Sequence, residues 1–122
     1  MEKSIDFYDG AMKIAKFLNL SKATDVLLLD LREANIWTDF FVVATVASQS
    51  QALGIENDLI KEIEKLGLNE WYTKRKNSRD ADWKLIDLGN IVIHLMSKKA
   101  RNFYDLETLH SNAKKLDFLM EV

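Results

Sequence analysis

The pattern of hydrophobic and polar positions begins with a helical stripe. Apolar residues recur at spacings of three and four, the period that places them on one face of an α-helix. This stripe predicts a first helix over residues 5–20, and its members are Ile5, Tyr8, Met12, Ala15 and Leu18. A second stripe follows Ser48 and Gln51, which have the spacing of a capping box, and ends at Gly67. It predicts another helix between these residues.

Continuous apolar runs predict strands that are covered on both faces. Residues 26–29 and 40–46 are such runs. Residues 83–87 and 91–96 predict an antiparallel hairpin that turns around Gly89. Glycine favours a tight turn there because it readily adopts a positive φ.

The remaining elements are less regular. We expect a weak strand at residues 70–73 and a last helix at 100–110, with Phe103 on its apolar stripe. Residues 111–122 are expected to extend that helix or to form a tail, so the predicted domain spans residues 1–110. The order of helices and strands predicts an α/β (α+β) fold with a single mixed β-sheet flanked by helices.

Composition narrows the classes of function. The 122 residues suit one domain, and 48% apolar residues can form a core. The absence of cysteine excludes disulfides and thiolate metal sites. No secretory signal begins the chain and no apolar run approaches the ~20 residues of a membrane span, so we expect a cytoplasmic protein. A net charge of −2 gives no overall attraction to nucleic acid.

Asp80 and Asp82 form the strongest candidate for catalysis. Two carboxylates at positions i and i+2 of a strand share a face and could bind Mg²⁺. No glycine-rich phosphate loop precedes them, so solvated loop charges are the favoured interpretation. A nucleotidyltransferase-like enzyme or nucleotide binder that uses Asp80, Asp82 and Asp87 is the alternative hypothesis.

The two histidines, His94 and His110, cannot form a metal site alone. His94 lies in an otherwise apolar strand, which indicates a core histidine hydrogen-bonded at both nitrogens. A buried charge switch and a contact residue are the other interpretations of His94.

Lys74, Arg75 and Lys76 form the densest basic cluster, and Trp71 and Trp83 flank it. Cations interleaved with aromatic rings can bind looped RNA, so contact with rRNA is one hypothesis and a solvated loop is the other. Trp83 opens a strand directly after this charged loop. It is either a partly exposed anchor for a protein partner or a tryptophan at the edge of the core.

Residues 82–96 resemble the signature of the Iojap family, the ribosomal silencing factors. The shared features are a strand that begins with tryptophan, here Trp83, a turn of the form Asp-x-Gly from Asp87 to Gly89, and a following strand that contains His94. Further matches run in order through the first strand, the second strand with its helix cap, and the closing helix. Together they cover about residues 5–110.

Four features depart from the family pattern. Val46 stands in place of a usual glycine, Asn90 in place of an aspartate and His110 in place of a tryptophan. Lys74–Lys76 replaces a stretch that is commonly acidic and contains glycine. These differences concern the contact surface more than the fold.

The resemblance implies a fold similar to the nucleotidyltransferase sheet without its catalytic residues. It also implies a translational repressor that is not an enzyme and needs no cofactor. Members of the family bind the large ribosomal subunit at ribosomal protein L fourteen and block joining of the small subunit when nutrients are limiting. A role in large-subunit biogenesis is also implied.

The predicted partner-binding residues are Trp83, Asp87, Leu88, Met96 and Tyr104. Trp83 and Asp87 follow from the motif, and the other three follow from the predicted hairpin. Trp83 would be the anchor, while Asp87 would pair with a cation of the partner. A homodimer of the free protein that buries the same aromatic surface is a third hypothesis.

Overall fold

The computed structural model describes residues 6–34, 38–68, 82–105 and 113–119. The elements in chain order are α1 (Phe7–Leu20), β1 (Thr24–Asp30), β2 (Phe40–Val46), α2 (Gln49–Lys65), β3 (Trp83–Asp87), β4 (Ile91–Ser97), α3 (Lys98–Tyr104) and β5 (Lys114–Leu116). The weak strand predicted at 70–73 lies outside the described residues, as do Lys74–Lys76, Asp80 and His110.

The five strands form one sheet in the order β3-β4-β2-β1-β5. Strands β2 and β4 are parallel, and the other neighbouring pairs are antiparallel. Every residue of β2 is buried, as its continuous apolar run predicts for a central strand. The mixed sheet flanked by helices is therefore confirmed.

One face of the sheet, here called the helical face, packs against α1 and α2. Ile14 and Leu18 of α1 and Leu59 and Ile63 of α2 are almost completely buried on it. The predicted α2 stripe accounts for its part of this layer, because residues three and four apart point to the same side of a helix. The predicted α1 stripe is only partly correct: Ala15 and Leu18 are buried, but Tyr8 is 39% exposed and Ile14, outside the stripe, is buried.

The opposite face, here called the aromatic face, has a separate core, formed by Leu29, Leu31, Phe41, Val43, Val92, Met96 and Ala100. Among the described helices, only α3 contributes a buried residue to this core. This helix has seven residues, about two turns. Trp83 and Leu85 pack against the core while remaining partly exposed.

The ends of α2 confirm the predicted start and stop signals, with one difference. Ser48 is the N-cap, and its hydroxyl accepts a hydrogen bond from the Gln51 amide at 3.0 Å. The Gln51 side chain accepts instead from the amide of Ala47, one residue before the cap, at 2.6 Å. Gly67 follows the helix with φ of +75°, a conformation that glycine adopts without strain.

The C-terminal region corrects two predictions. The helix predicted at 100–110 begins at Lys98, and Asp105 ends it in the left-handed region with φ of 42°. Phe103, which was expected on its apolar stripe, is 79% exposed. The chain then returns to the sheet as β5, antiparallel to β1, and Phe118 is buried in the core of the helical face. Residues 113–119 are therefore part of the domain, and a boundary at residue 110 would separate β5 from the rest of the sheet.

Candidate partner-binding site

Strand β3 sends alternate side chains to the two faces of the sheet. Ile86 enters the core of the helical face, and the Lys84 ammonium lies 3.3 Å from the Glu56 carboxylate on α2. Trp83 and Leu85 point to the opposite side and pack on the aromatic face. The two-residue period of a strand therefore decides which side chains of β3 a partner could reach.

His94 of the neighbouring strand β4 holds the Trp83 ring through a hydrogen bond. The indole Nε1–H donates a hydrogen bond to His94 Nδ1 at 3.0 Å. Because an indole nitrogen only donates, Nδ1 must accept, so the neutral imidazole carries its proton on Nε2. His94 is 4% exposed, and its ring meets Phe41 edge-on at 4.5 Å. The predicted burial of His94 is confirmed, and so is one of its two predicted hydrogen bonds, at Nδ1. The prediction for the other nitrogen is wrong, because Nε2 has no hydrogen-bond partner among the described residues.

A run of three aromatic rings leads outward from this hydrogen bond. The Trp83 and Tyr104 ring centres lie 4.5 Å apart, and those of Tyr104 and Phe103 lie 4.9 Å apart. Exposure increases along the run, from half-buried Trp83 to 42% for Tyr104 and 79% for Phe103. We call Trp83, Tyr104 and Phe103 the aromatic patch.

Asp87 ends β3 and holds the hairpin turn. Its Oδ1 accepts a hydrogen bond from the Gly89 amide at 2.8 Å, and Gly89 has φ of +86°. The predicted turn is confirmed. Asp87 is partly exposed, so its predicted pairing with a cation of the partner remains a proposal.

The same turn explains one departure from the family pattern. The Asn90 side-chain amide donates to Asp39 Oδ2 at 2.9 Å, and Thr38 donates to the Gly89 carbonyl at 2.8 Å. An aspartate at position 90 would place a carboxylate beside Asp39, whereas asparagine supplies a donor. Asn90 thus ties the hairpin to the start of β2.

Two of the five predicted contact residues are corrected. Leu88 and Met96 are 0% exposed. Leu88 lies in the core of the helical face, and Met96 lies opposite Trp83 in the core of the aromatic face. Neither side chain reaches the surface of the described structure, so both stabilise the fold and neither belongs to a contact surface.

Sequence reasoning missed Leu85 and Phe103. Phe103 was assigned to a buried stripe because the helix was predicted to continue to residue 110. The two-residue period of β3 could have identified Leu85, because it places this side chain on the same face of the sheet as Trp83 and Asp87. Both side chains are accessible on the side of the molecule that carries the aromatic patch.

The carboxylates of the alternative enzyme hypothesis do not converge in the described structure. Asp82 immediately precedes β3 and Asp87 is the last residue of that strand, so five steps of ~3.3 Å along the chain separate them by about 16 Å. One metal ion cannot bind both. Asp80 lies outside the described residues, and within residues 6–34, 38–68, 82–105 and 113–119 no three metal-ligating side chains come together.

An ion pair between the buried Asp30 and the half-exposed Arg32 stabilises the opposite side of the sheet. Arg32 donates to both carboxylate oxygens of Asp30, from Nε at 3.0 Å and from Nη2 at 2.8 Å. These hydrogen bonds lower the pKa of the Asp30 carboxyl, against the opposing effect of burial. The guanidinium also lies over the rings of Tyr8 and Phe40, at 5.4 and 5.1 Å from their centres. This cluster joins α1 to the sheet.

Comparison with known proteins agrees with this arrangement. A family model described as "Ribosomal silencing factor during starvation" matches residues 4–121. The chain belongs to the ribosomal silencing factor family. The match extends beyond β5, as expected for a strand that is part of the domain.

The chain is similar to the ribosomal silencing factor of Treponema pallidum, with 35% identity over 100 residues that cover 82% of this chain and 88% of the relative. A mouse protein named "Mitochondrial assembly of ribosomal large subunit protein 1" is 28% identical over 79% of this chain and 42% of its own length. A crystal structure of a Chromobacterium violaceum protein has the same fold, with a TM-score of 0.71, 24% identity and coverage of 98% and 95% of the two chains.

None of the helices in the described part of this ribosomal silencing factor family member is long and apolar enough to cross a membrane.

Proposed function

We propose that this protein binds the large ribosomal subunit at ribosomal protein L fourteen and sterically blocks joining of the small subunit. The aromatic patch is the observation that supports this proposal. Phe103 exposes 79% and Tyr104 42% of their surface, beside the half-buried Trp83. Clustered, partly exposed aromatic side chains are typical anchors of protein interfaces.

Asp87 and Asp105 could pair with cations of a partner, while Lys98, Lys99 and Arg101 lie on the same helix as Phe103 and Tyr104. Asp87 lies at the far end of the strand that Trp83 begins, on the same side of the sheet, and Asp105 follows Tyr104 directly. Ribosomal proteins are rich in lysine and arginine, so carboxylates at the rim would orient the encounter and raise its rate. The predicted contacts Trp83, Asp87 and Tyr104 are retained in this proposal, and Leu85 and Phe103 are added to it.

The proposed mechanism needs no chemical step and no cofactor. A protein of this size that occupies a surface of the large subunit excludes the small subunit by volume alone. Translation would then fall when nutrients are limiting. The name of the mouse relative supports a further role in large-subunit biogenesis, and we propose the cytoplasm as the site of action.

The test compares two exposed apolar residues on different parts of the molecule. Phe103→Ser removes a ring that is 79% exposed within the patch, and Leu20→Ser removes a side chain that is 81% exposed at the end of α1. Co-sedimentation with isolated large subunits should show at least tenfold weaker binding for Phe103→Ser, about 1.4 kcal/mol, and parental binding for Leu20→Ser. The first variant should also fail to prevent subunit joining at concentrations where the parent succeeds.

Equal binding by both variants would contradict docking through the patch.

The double variant Asp80→Asn with Asp82→Asn should bind within about tenfold of the parent, since exposed charges contribute ~1 kcal/mol or less each. Loss of all function in that variant with an intact fold, or turnover of labelled nucleoside triphosphates with Mg²⁺, would favour an enzyme. Sedimentation equilibrium of the free protein tests the homodimer, which Phe103→Ser should weaken if two copies bury the patch.

A further inference from the structure

We infer that His94 is a positioning residue for the partner-binding surface: through Nδ1 it holds the Trp83 indole so that a partner meets carbon atoms and π-electrons of the ring, not its N–H. This inference rests on the proposed docking through the aromatic patch and assigns a role to a residue that touches no partner. Its basis is the 3.0 Å hydrogen bond from Trp83 Nε1 to His94 Nδ1.

His94 is itself held rigidly. It lies on β4, which is hydrogen-bonded to β2 on one side and β3 on the other, and it is paired with Leu85 across the hairpin. The imidazole is 4% exposed and contacts Phe41 edge-on. A buried ring on an inner strand has few accessible rotamers, so its Nδ1 lone pair defines a fixed direction.

The orientation of the Trp83 ring depends on the hydrogen bond to His94 more than the orientation of a fully buried ring would. It is the first residue of β3, at one end of the described sheet, and its ring is only partly buried. The hydrogen bond to His94 and the contact with Tyr104 at 4.5 Å constrain the ring on two sides. Without the hydrogen bond, the indole could rotate away from Tyr104 and lose its alignment with the patch. A surface held in its bound geometry loses less conformational entropy on association.

The hydrogen bond also restricts the chemistry of the partner group. Indole has a single donor, and that donor is used inside the protein. The surface that remains favours an aliphatic side chain or the face-on approach of a lysine or arginine, which the π-system attracts. A partner group that needed a hydrogen-bond donor from Trp83 would find none. This selectivity agrees with the proposed pairing of Asp87 with a cation of the partner.

Two substitutions of His94 separate positioning from plain packing. Asparagine carries Oδ1 on Cγ, as histidine carries Nδ1, and can accept from the indole, but it leaves space in the core. Leucine fills more of the volume and accepts nothing. If His94 acts only by packing, the affinity of each variant for large subunits should follow its free energy of unfolding. His94→Leu should then bind more tightly than His94→Asn. Positioning predicts the opposite order for binding: His94→Asn within threefold of the parent and His94→Leu at least tenfold weaker.

The free protein provides a readout that does not involve the ribosome. The Trp83 indole proton, assigned by its loss in Trp83→Phe, should exchange with solvent slowly in the parent and in His94→Asn, and at least tenfold faster in His94→Leu. Subunit binding is then measured by co-sedimentation for the same three proteins. Parental binding by His94→Leu, or equal losses in both His94 variants, would overturn the positioning role.

A double-variant comparison tests whether His94 acts through the indole donor of Trp83. Trp83→Phe keeps a ring but removes the donor, so His94→Leu should cause no further loss of binding in that background. An additional tenfold loss there would show that His94 acts by another route. If Phe103→Ser also binds normally, the proposed docking itself is wrong; if only the His94 prediction fails, docking stands and the positioning role falls.

Discussion

The two faces of the sheet use the same strands for different purposes. On the helical face, α1 and α2, with 14 and 17 residues, bury nearly every apolar side chain beneath them. On the aromatic face, the described cover is the seven-residue α3, and Phe103 and Tyr104 remain exposed beside Trp83. The comparison shows that long helices cover one face, whereas the described part of the other face leaves large apolar rings exposed, and the proposed docking would use these rings.

The difference between the faces is built residue by residue. In β4, Ile93 points to the helical face while His94 points to the aromatic face. The first contributes only to packing, whereas the second accepts the hydrogen bond that orients Trp83. Substitutions on the helical face should therefore change the free energy of unfolding, and substitutions on the aromatic patch should change binding.

The largest effect is expected for a core residue of the helical face. Leu59 is 0% exposed, so Leu59→Ala should lower the free energy of unfolding by ~2–5 kcal/mol through lost burial and the cavity that remains. Urea denaturation measures this change. The folded fraction should bind large subunits with parental affinity, and a specific loss of affinity would contradict the division between the faces.

Trp83 packs against the core of the aromatic face and is part of the proposed binding patch, so Trp83→Ala should change both the free energy of unfolding and the free energy of binding. Binding should weaken by ~2–4 kcal/mol, the range of an interface anchor. The free energy of unfolding should fall by less than the ~3–5 kcal/mol of a fully buried aromatic residue, since the ring is half-exposed. Denaturation and subunit titration of the same variant give the two values. A stable variant with parental binding would remove Trp83 from the proposed interface.

Asp30→Asn tests the ion pair that joins α1 to the sheet. The pKa of Asp30 lies below its usual value near 3.8 because Arg32 stabilises the carboxylate. Its stabilisation is therefore complete above the unfolded pKa and is lost as the pH falls through the folded pKa. The variant should be less stable by about 1 kcal/mol at pH 7, since the guanidinium is half-exposed.

Denaturation across the acid range should show this difference shrinking below about pH 4. Subunit binding by Asp30→Asn at pH 7 should equal that of the parent. A stability difference that did not change with pH would contradict the role of the Asp30 charge.

The smallest effect is expected for the basic segment at residues 74–76. If Lys74, Arg75 and Lys76 contact rRNA phosphates, changing all three to serine should reduce the slope of log affinity against log salt by about one for each lost contact. The free energy of unfolding should stay within ~0.5 kcal/mol, as for most surface changes. An unchanged slope would assign these residues to a solvated loop.

Much of the fold was determined by the sequence alone. Continuous apolar runs identified β1 and β2, and Gly89 marked the turn between β3 and β4. Ser48 and Gly67 bounded α2. These signals succeed because they are local: a strand covered on both faces must be apolar throughout, and a turn with positive φ favours glycine. The motif at residues 82–96 likewise indicated the family that the comparisons confirm.

Other features depended on contacts between distant parts of the chain. Strand β5 has three residues, too few for periodicity to reveal, and exists through its pairing with β1. Leu88, Met96 and Phe103 are all apolar, yet the first two are buried and the third is exposed. The sequence shows that these three residues are hydrophobic, but it does not show which other elements pack on them. That cover, like the hydrogen bond between Trp83 and His94, is set by how the strands and helices pack, so only the tertiary structure decided which apolar residues a partner could touch.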